Sequence, residues 1–303
     1  MPSARRSKLD LRKLNPPQRE AVLHGEGPLL ILAGAGSGKT STMAYRIAHL
    51  IVERRVAPSA IVGLSFTNKA ARELKDRVLG LIAQLGYGNQ AARDLSLSTF
   101  HSLCVRILRR HAEKIGYRNQ FSIIDSSDQR DILRSIFKRV RIDDRKFDLD
   151  LVLSSLGKAK SQFVPEDDAE SYFLERARLS PEYAVAAALA YGHYARELRA
   201  HNSMDFEDLL TLGVRLLREH PAVRAEYNRQ YQYVLVDEYQ DTNPTQFALL
   251  RLLTEQQQNL CVVGDDDQSI YGWRGADSAH ILQFSRQFEG AKVITLDQNY
   301  RST

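Results

Sequence analysis

The sequence predicts an α/β protein in which helices flank a parallel β-sheet and an all-helical segment interrupts the sheet domain. Two observations lead to this fold class. Short apolar runs recur along the 303-residue chain, each in front of a turn-like or helical segment, as buried parallel strands do. Between roughly residues 110 and 203 these runs nearly disappear, and charged, amphipathic stretches take their place.

The predicted strands are Leu29–Leu32, Ile61–Leu64, Tyr233–Val236, Leu260–Val263 and Val293–Leu296. The first strand is followed by apolar residues at the i, i+4, i+7 and i+8 spacing of a helix that packs on a sheet, namely Met43, Ile47, Leu50 and Ile51. We therefore predict an α/β domain in two segments, residues 1–110 and 205–303, with a helical subdomain at residues 111–204.

Composition indicates an ordinary globular protein without a membrane segment. The chain is 43% hydrophobic and 26% charged, and its first 20 residues are too charged for a signal peptide. We expect a cytoplasmic location. The net charge of +5 is compatible with a polyanionic partner but does not identify one. Cys104 and Cys261 lack a CxxC partner, which argues against disulfides and zinc and predicts buried thiols.

A glycine-rich motif between the first strand and its helix predicts an ATP site. Residues 33–40 read AGAGSGKT, the P-loop pattern except that Ala33 replaces the first glycine. Glycines let backbone N–H groups converge on phosphates, Lys39 neutralises phosphate oxygens, and Thr40 offers its hydroxyl to Mg²⁺. The competing interpretation is a mere glycine turn. The residues assigned to nucleotide binding are Ala35, Gly36, Ser37, Gly38, Lys39, Thr40 and Ser41.

A carboxylate pair ends the predicted strand Tyr233–Val236. Asp237 and Glu238 follow that strand directly. Because successive side chains point in different directions, Asp237 can hold Mg²⁺, directly or through water, while Glu238 orients and deprotonates the attacking water. Such a pair alone also fits a surface loop, and the upstream P-loop favours the catalytic interpretation.

The segment around Gln18 supports two interpretations. Asn15, Pro16 and Gln18 have the spacing of a helix N-cap, first helical residue and capping-box partner. A glutamine amide can also donate to and accept from the edge of adenine, which would make Gln18 the base reader. The sequence leaves both open.

Two further polar segments are interpreted as helix starts. Asp205, Glu207 and Asp208 fall in a first helical turn, where the helix dipole favours acidic residues regardless of function. The run from Thr242 to Pro244 likewise precedes an apolar helical stretch. We assign neither segment to a site.

Seven or more ordered segments resemble the motifs of superfamily 1A DNA helicases, the UvrD/PcrA/Rep group. Besides the P-loop they are LNPPQREAV from Leu14, SFTNKAARELKDRV from Ser65, STFHSLCVRILRR from Ser98, DFEDLL from Asp205, VDEYQDTN from Val236, GDDDQSIYGWRGAD from Gly264 and QNYRS from Gln298. They span residues 14 to 303 except for the helical insertion, so the resemblance is highly specific.

The resemblance implies a RecA-like fold with further nucleotide contacts. Gln18 would contact adenine, and Tyr300 would stack on the base. Gln268 would sense the γ-phosphate, and Arg301 would reach it from the end of its strand. Ser41 departs from the family, in which arginine often follows the GKT sequence, and packing on that side of adenine is expected to be weaker.

The resemblance also implies a single-stranded DNA site built on aromatic side chains. Trp273, the only tryptophan, lies with Tyr271 on a glycine-rich loop where a base can stack, although a core position is the alternative. Phe66 resembles the residue that forms a base pocket in the family, and a core position is again the alternative. Further candidate contacts are Thr67, Asn68 and His101 on the DNA backbone and Arg274 between the DNA and ATP sites.

The implied function is an ATP-dependent motor that moves 3′ to 5′ on single-stranded DNA and unwinds junctions with duplex DNA in repair, replication or recombination. Repair and replication proteins are candidate partners. No later helicase motif precedes the end at Thr303, so we expect a monomeric chain without the second RecA-like lobe and with low activity alone. The alternatives are the ATPase part of a helicase–nuclease subunit, a P-loop kinase or metabolic ATPase, and an ATP- and DNA-binding module without unwinding activity.

Overall fold

The computed structural model describes residues 8–83, 85, 87, 93–176, 179–265 and 284–298. The chain divides into two compact units, residues 1–100 with 224–303 and residues 101–223. The domain limits drawn from the sequence, at 110/111 and 204/205, fall inside the second of these units and remain a prediction.

The described helices are α1 Pro16–Leu23, α2 Lys39–Val52, α3 Asn68–Ala83, α4 Phe100–His111, α5 Ser126–Arg139, α6 Leu149–Ser161, α7 Ala169–Ser171, α8 Pro181–Ala200, α9 Phe206–Glu219, α10 Pro221–Gln230, α11 Pro244–Leu253 and α12 Phe284–Gln287. The described strands are β1 Leu29–Ala33, β2 Ile61–Ser65, β3 Ser96–Thr99, β4 Ser122–Ile123, β5 Ser203–Met204, β6 Tyr233–Val236, β7 Leu260–Gly264 and β8 Lys292–Leu296.

The first unit contains a parallel sheet of six strands in the order β3-β2-β6-β7-β1-β8. All five predicted strands are confirmed, and the mixed α/β fold with a parallel sheet agrees with the predicted class. Strand β3 was not predicted. Three of its four residues, SLST, are polar, and the strand lies at the sheet edge, so it lacks the continuous apolar character of a central strand.

The sheet core fixes both ends of the loop after β1, because it holds strand β1 before the loop and helix α2 after it. Strand β1 lies between β7 and β8, with Leu30 opposite both Val262 and Val293. The predicted apolar stripe of α2 is buried against this sheet: Met43 and Ile47 are fully buried, and Leu50 and Ile51 nearly so. Because all strands are parallel, the loops after β1, β2, β6 and β7 leave the sheet at one edge, where ligands bind in open α/β folds.

The second unit is built mainly from helices. Its core joins α5, α6 and α8, with Phe137, Phe173 and Tyr194 among its buried side chains. A two-residue parallel pair, β4 with β5, was not predicted because strands this short have no periodicity to detect. Within the described ranges of the chain, no helix is long and apolar enough to cross a membrane. Cys104 and Cys261 are buried free thiols, as expected.

Reciprocal capping boxes fix two helix starts in the sheet unit. In α11, the Gln246 backbone N–H donates to Asn243 Oδ1 at 2.8 Å, and the Asn243 N–H donates to Gln246 Oε1 at 3.0 Å. In α1, Asn15 and Gln18 make the same exchange at 2.9 and 3.1 Å. The helix starts predicted at both segments are confirmed.

We predict that Asn243→Ala lowers the free energy of unfolding by about 1 kcal/mol, because the first turn of α11 loses its N-cap acceptor. Chemical denaturation measures this change. Asn243→Asp, which retains an acceptor oxygen, is the matched control and should stay within about 0.5 kcal/mol of the original. Equal losses in both variants would rule out the capping explanation.

Candidate functional site

The glycine-rich loop after β1 has the backbone shape of a phosphate cradle. Gly36 and Gly38 have φ values of +78° and +86°, in the left-handed region that favours glycine. The Ser37 N–H donates to the Gly34 carbonyl at 3.3 Å and closes the turn. Helix α2 begins at Lys39, and its N-cap residue, Gly38, makes no side-chain hydrogen bond to the first turn. The backbone N–H groups of that turn can therefore bind an anion at the loop.

The buried side chain of Gln18 contacts this loop. Its Nε2 donates to the Ser37 carbonyl at 2.9 Å while its Oε1 accepts the Asn15 N–H, and the side chain is buried. A Cβ at Gly38 would come within 2.7 Å of Gln18 Nε2, so a larger residue there would displace the Gln18 amide. Both ends of the amide are therefore engaged in this structure. The capping interpretation is confirmed, and contact with adenine remains a prediction.

Lys39 joins the loop to the carboxylates at the ends of β6 and β7. Its Nζ lies 3.3 Å from Glu238 Oε2 and 3.8 Å from Asp265 Oδ2. The Lys39 side chain is only 11% exposed and that of Asp265 only 3%, whereas Glu238 is 40% exposed. The lysine is thus held in place, while the glutamate is open to solvent and to a reacting water.

Glu238 has an unusual backbone. Its φ of +50° and ψ of +48° place a non-glycine residue in the left-handed region, which costs about 1 to 3 kcal/mol and is often found at functional sites. Gln240 holds its side chain, because Gln240 Nε2 donates to Glu238 Oε2 at 2.8 Å. Gln240 Oε1 in turn accepts the Asp265 N–H at 3.1 Å. The sequence analysis missed Gln240, although it lies two residues beyond the carboxylate pair.

Asp237 is buried beside Glu238. It is 4% exposed, and its Oδ1 accepts the Glu238 N–H at 3.0 Å. Burial, followed by the charge of Glu238, raises the pKa of Asp237 to about 6. Asp241 has its pKa raised to about 6 by the same two causes, burial first. Burial disfavours the anionic form of both carboxylates, and a nearby cation would stabilise that form.

These carboxylates fit a magnesium ion that is also coordinated by the phosphates of a nucleotide. No group of three or more His, Cys, Asp or Glu side chains among the described residues forms a metal site of its own. Mg²⁺ is usually bound by one or two carboxylates together with water and substrate phosphates. Asp241 Oδ1 is buried and has no hydrogen-bond partner within the described chain, which fits a position beside a bound cation or its water.

Three candidate DNA residues follow β2 in the sheet unit. Thr67 and Asn68 are exposed, and Thr67 Oγ1 accepts the Ala70 N–H at 3.1 Å at the start of α3. Phe66 is half-buried, with its ring centroid 6.3 Å from that of Phe100 in an edge-to-face arrangement. Phe66 thus packs against the first residue of α4, and its role in DNA binding remains a prediction.

His101, the candidate in the helical unit, forms an aromatic pair that the sequence analysis missed. The His101 and Phe206 rings are stacked with centroids 3.7 Å apart and an interplanar angle of 20°. Phe206 is nevertheless 54% exposed, which is unusual for so large an apolar side chain. The available signal was an aromatic residue between the acidic residues of DFEDLL, a segment that resembles a helicase motif but was assigned to no site.

The remaining site candidates lie outside the described residues. They are Gln268, Tyr271, Trp273, Arg274, Tyr300 and Arg301. Their assignments stay predictions. Of the other nucleotide candidates, Ala35 and Ser37 lie in the cradle itself, and Thr40 and Ser41 lie in the first turn of α2.

Comparison with known proteins agrees with this geometry. Residues 14–289 match the family model described as the UvrD/REP helicase N-terminal domain. The chain is 45% identical over 293 residues to the ATP-dependent DNA helicase PcrA of Bacillus subtilis (strain 168), and 44% and 42% identical to proteins of the same name from Staphylococcus aureus (strain Mu50) and Staphylococcus epidermidis. In each case the match covers 97% of this chain and 38% of the relative.

The family assignment rests on agreement between sequence and geometry. The match includes the glycine-rich loop, the carboxylates after β6 and the helical unit between them. The contact between Lys39 and Glu238 joins motifs that are 199 positions apart in the sequence. The chain belongs to the UvrD/REP helicase family, whose N-terminal domain it carries.

Proposed function

We propose that this chain is the ATP-hydrolysing part of a DNA helicase that moves 3′ to 5′ along single-stranded DNA. The observation that carries the proposal is the meeting of Lys39 with Glu238 and Asp265 at the sheet edge that presents the glycine-rich loop. A phosphate-binding lysine beside a solvent-open carboxylate is the arrangement that hydrolysis of a nucleotide needs. The relatives named helicases are longer than this chain, and unwinding is proposed for the full-length protein.

In the proposed reaction, each group near the loop has one task. Lys39 exchanges its contact with Glu238 for the phosphate oxygens of ATP. Glu238, released by that exchange, orients the water and accepts its proton, while Gln240 keeps the carboxylate aimed. Bound Mg²⁺ would supply positive charge to the phosphate oxygens, with Asp237 and Thr40 as its protein ligands. Gln268 and Arg301 are proposed as further γ-phosphate contacts.

Each unit carries proposed contacts to single-stranded DNA. In the sheet unit these are Phe66, Thr67 and Asn68, and in the helical unit the His101–Phe206 pair presents a flat face on which a base can stack. Tyr271 and Trp273 are proposed to stack on further bases, with Arg274 between them and the ATP site. Nucleotide binding would then alter the affinity for DNA through the residues that follow β7.

The direct test measures ATP hydrolysis and strand displacement by the full-length protein, with and without single-stranded DNA. The proposal predicts hydrolysis that single-stranded DNA stimulates, and displacement only on duplexes with a 3′ single-stranded tail. Hydrolysis indifferent to DNA would instead favour a metabolic ATPase, and displacement from a 5′ tail would contradict the polarity.

We predict that Glu238→Gln lowers kcat for ATP hydrolysis by about 10² to 10⁴-fold, because the amide cannot accept the proton of the attacking water. Nucleotide binding should persist, since Lys39 keeps its charge. Steady-state hydrolysis and equilibrium nucleotide binding measure the two effects. The exposed Glu289 provides a matched control as Glu289→Gln, and a fully active Glu238→Gln enzyme would remove the proposed base.

A second prediction separates the two interpretations of Gln18. Gln18→Ala should reduce the preference for ATP over GTP about fivefold, because a lost hydrogen bond to the base is worth roughly 1 kcal/mol. Gln246→Ala is the matched control, since Gln246 has the same capping role at α11 without the contact to the P-loop. Similar losses of stability in both variants with an unchanged nucleotide preference would leave Gln18 with a structural role only.

A further inference from the structure

A closed ring of polar contacts lies buried inside the helical unit. Lys160 Nζ contacts Asp205 Oδ2 at 2.7 Å and Asp208 Oδ1 at 2.8 Å. The other oxygen of each carboxylate is used within a capping box: Asp205 Oδ1 accepts the Asp208 N–H at 2.8 Å, and Asp208 Oδ2 accepts the Asp205 N–H at 3.2 Å. All four carboxylate oxygens are therefore engaged, and Lys160 closes the ring.

The ring differs from the surface ion pairs of the chain in its burial. The side chains of Lys160, Asp205 and Asp208 are 8%, 7% and 10% exposed. Burial alone lowers the pKa of Lys160, but the charges of Asp208 and Asp205 outweigh it and the pKa is raised, so the ammonium stays charged. Removing the lysine would leave two buried carboxylates facing each other, which is strongly unfavourable.

The ring includes the N-cap of the helix that begins at Phe206. Asp205 is the N-cap of α9 and Phe206 is its first residue, so the capping box that Lys160 holds sets the backbone from which the Phe206 ring projects. Phe206 then stacks on His101 at 3.7 Å while remaining 54% exposed. An exposed ring has few packing contacts of its own to hold it, and its position depends on the helix start beneath it.

We propose that Lys160 is a positioning residue for single-stranded DNA, which it does not touch, and that it acts by fixing the start of α9 so that the Phe206–His101 pair presents a flat face to a base. This inference rests on the proposed function, because it takes single-stranded DNA as the ligand of the aromatic pair. It adds a residue from α6, 45 positions before Asp205 in the sequence, to the DNA-binding machinery.

A double-mutant cycle on the full-length protein tests the proposal. The affinity for a fluorescein-labelled oligothymidylate is measured by anisotropy for the original protein, Lys160→Met, Phe206→Ala and the double variant. Phe206→Ala should weaken binding about tenfold, the size of one lost stacking contact. Lys160→Met should weaken it to a similar extent, and the double variant should be no worse than Phe206→Ala alone.

Two additional measurements separate positioning from other roles. The slope of log Kd against log salt concentration should be unchanged in Lys160→Met, whereas loss of a direct phosphate contact lowers it by about one. Lys160→Arg, which keeps the charge, should restore part of the affinity. Lys158→Met, the same change at an exposed site on α6, should bind DNA as the original does.

The outcomes separate the DNA-binding role of the aromatic pair from the positioning role of Lys160. If Phe206→Ala binds DNA normally, the aromatic pair is not part of the site and the proposed DNA site is wrong at this point. If the losses from Lys160→Met and Phe206→Ala add, or if the salt slope falls, Lys160 does not act through Phe206. Should Lys160→Met fail to fold, Asp208→Asn replaces it in the cycle, with the same non-additivity expected.

Discussion

The contact between Lys39 and Glu238 is the interaction on which the candidate ATP site depends. It joins the loop after β1 to the strand end of β6, although β7 lies between these strands in the sheet. Lys39 is the positive group facing Glu238 and Asp265, and its charge also lowers the pKa of the buried Asp237 and Asp241 against the larger effect of burial. Among the described residues of the site, this excess of carboxylates over lysine favours a divalent cation.

The sheet and the loops at its edge both position the contact between Lys39 and Glu238. Buried apolar strands in register fix the positions of the strand ends, and α2, packed on them, fixes the first turn that carries Lys39. The strained backbone at Glu238 and the Gln240 amide then aim a carboxylate that is otherwise open to solvent. Stability comes from the apolar layer, which leaves the loops at its edge free to carry strain.

The sequence predicted the parts whose signal is local. Five strands, the stripe of α2 and the two asparagine caps each follow from spacing within a few residues, and so does the glycine-rich loop. Contacts between distant segments were beyond such reasoning. Gln18 bonds to the carbonyl of Ser37, 19 positions away, and Lys160 closes a ring with residues 45 and 48 positions away. Only the folded chain brings these groups together, and the DFEDLL segment, which was assigned to no site, carries the exposed Phe206.

The most direct test of the central claim measures ATP affinity by calorimetry in Lys39→Ala, with Lys292→Ala as a control at an exposed lysine of the same unit. If Lys39 binds the phosphates, its variant should lose about 10- to 100-fold in affinity while its unfolding transition shows an intact fold, and the control should bind as before. Unchanged ATP affinity in a folded Lys39→Ala protein would contradict the account.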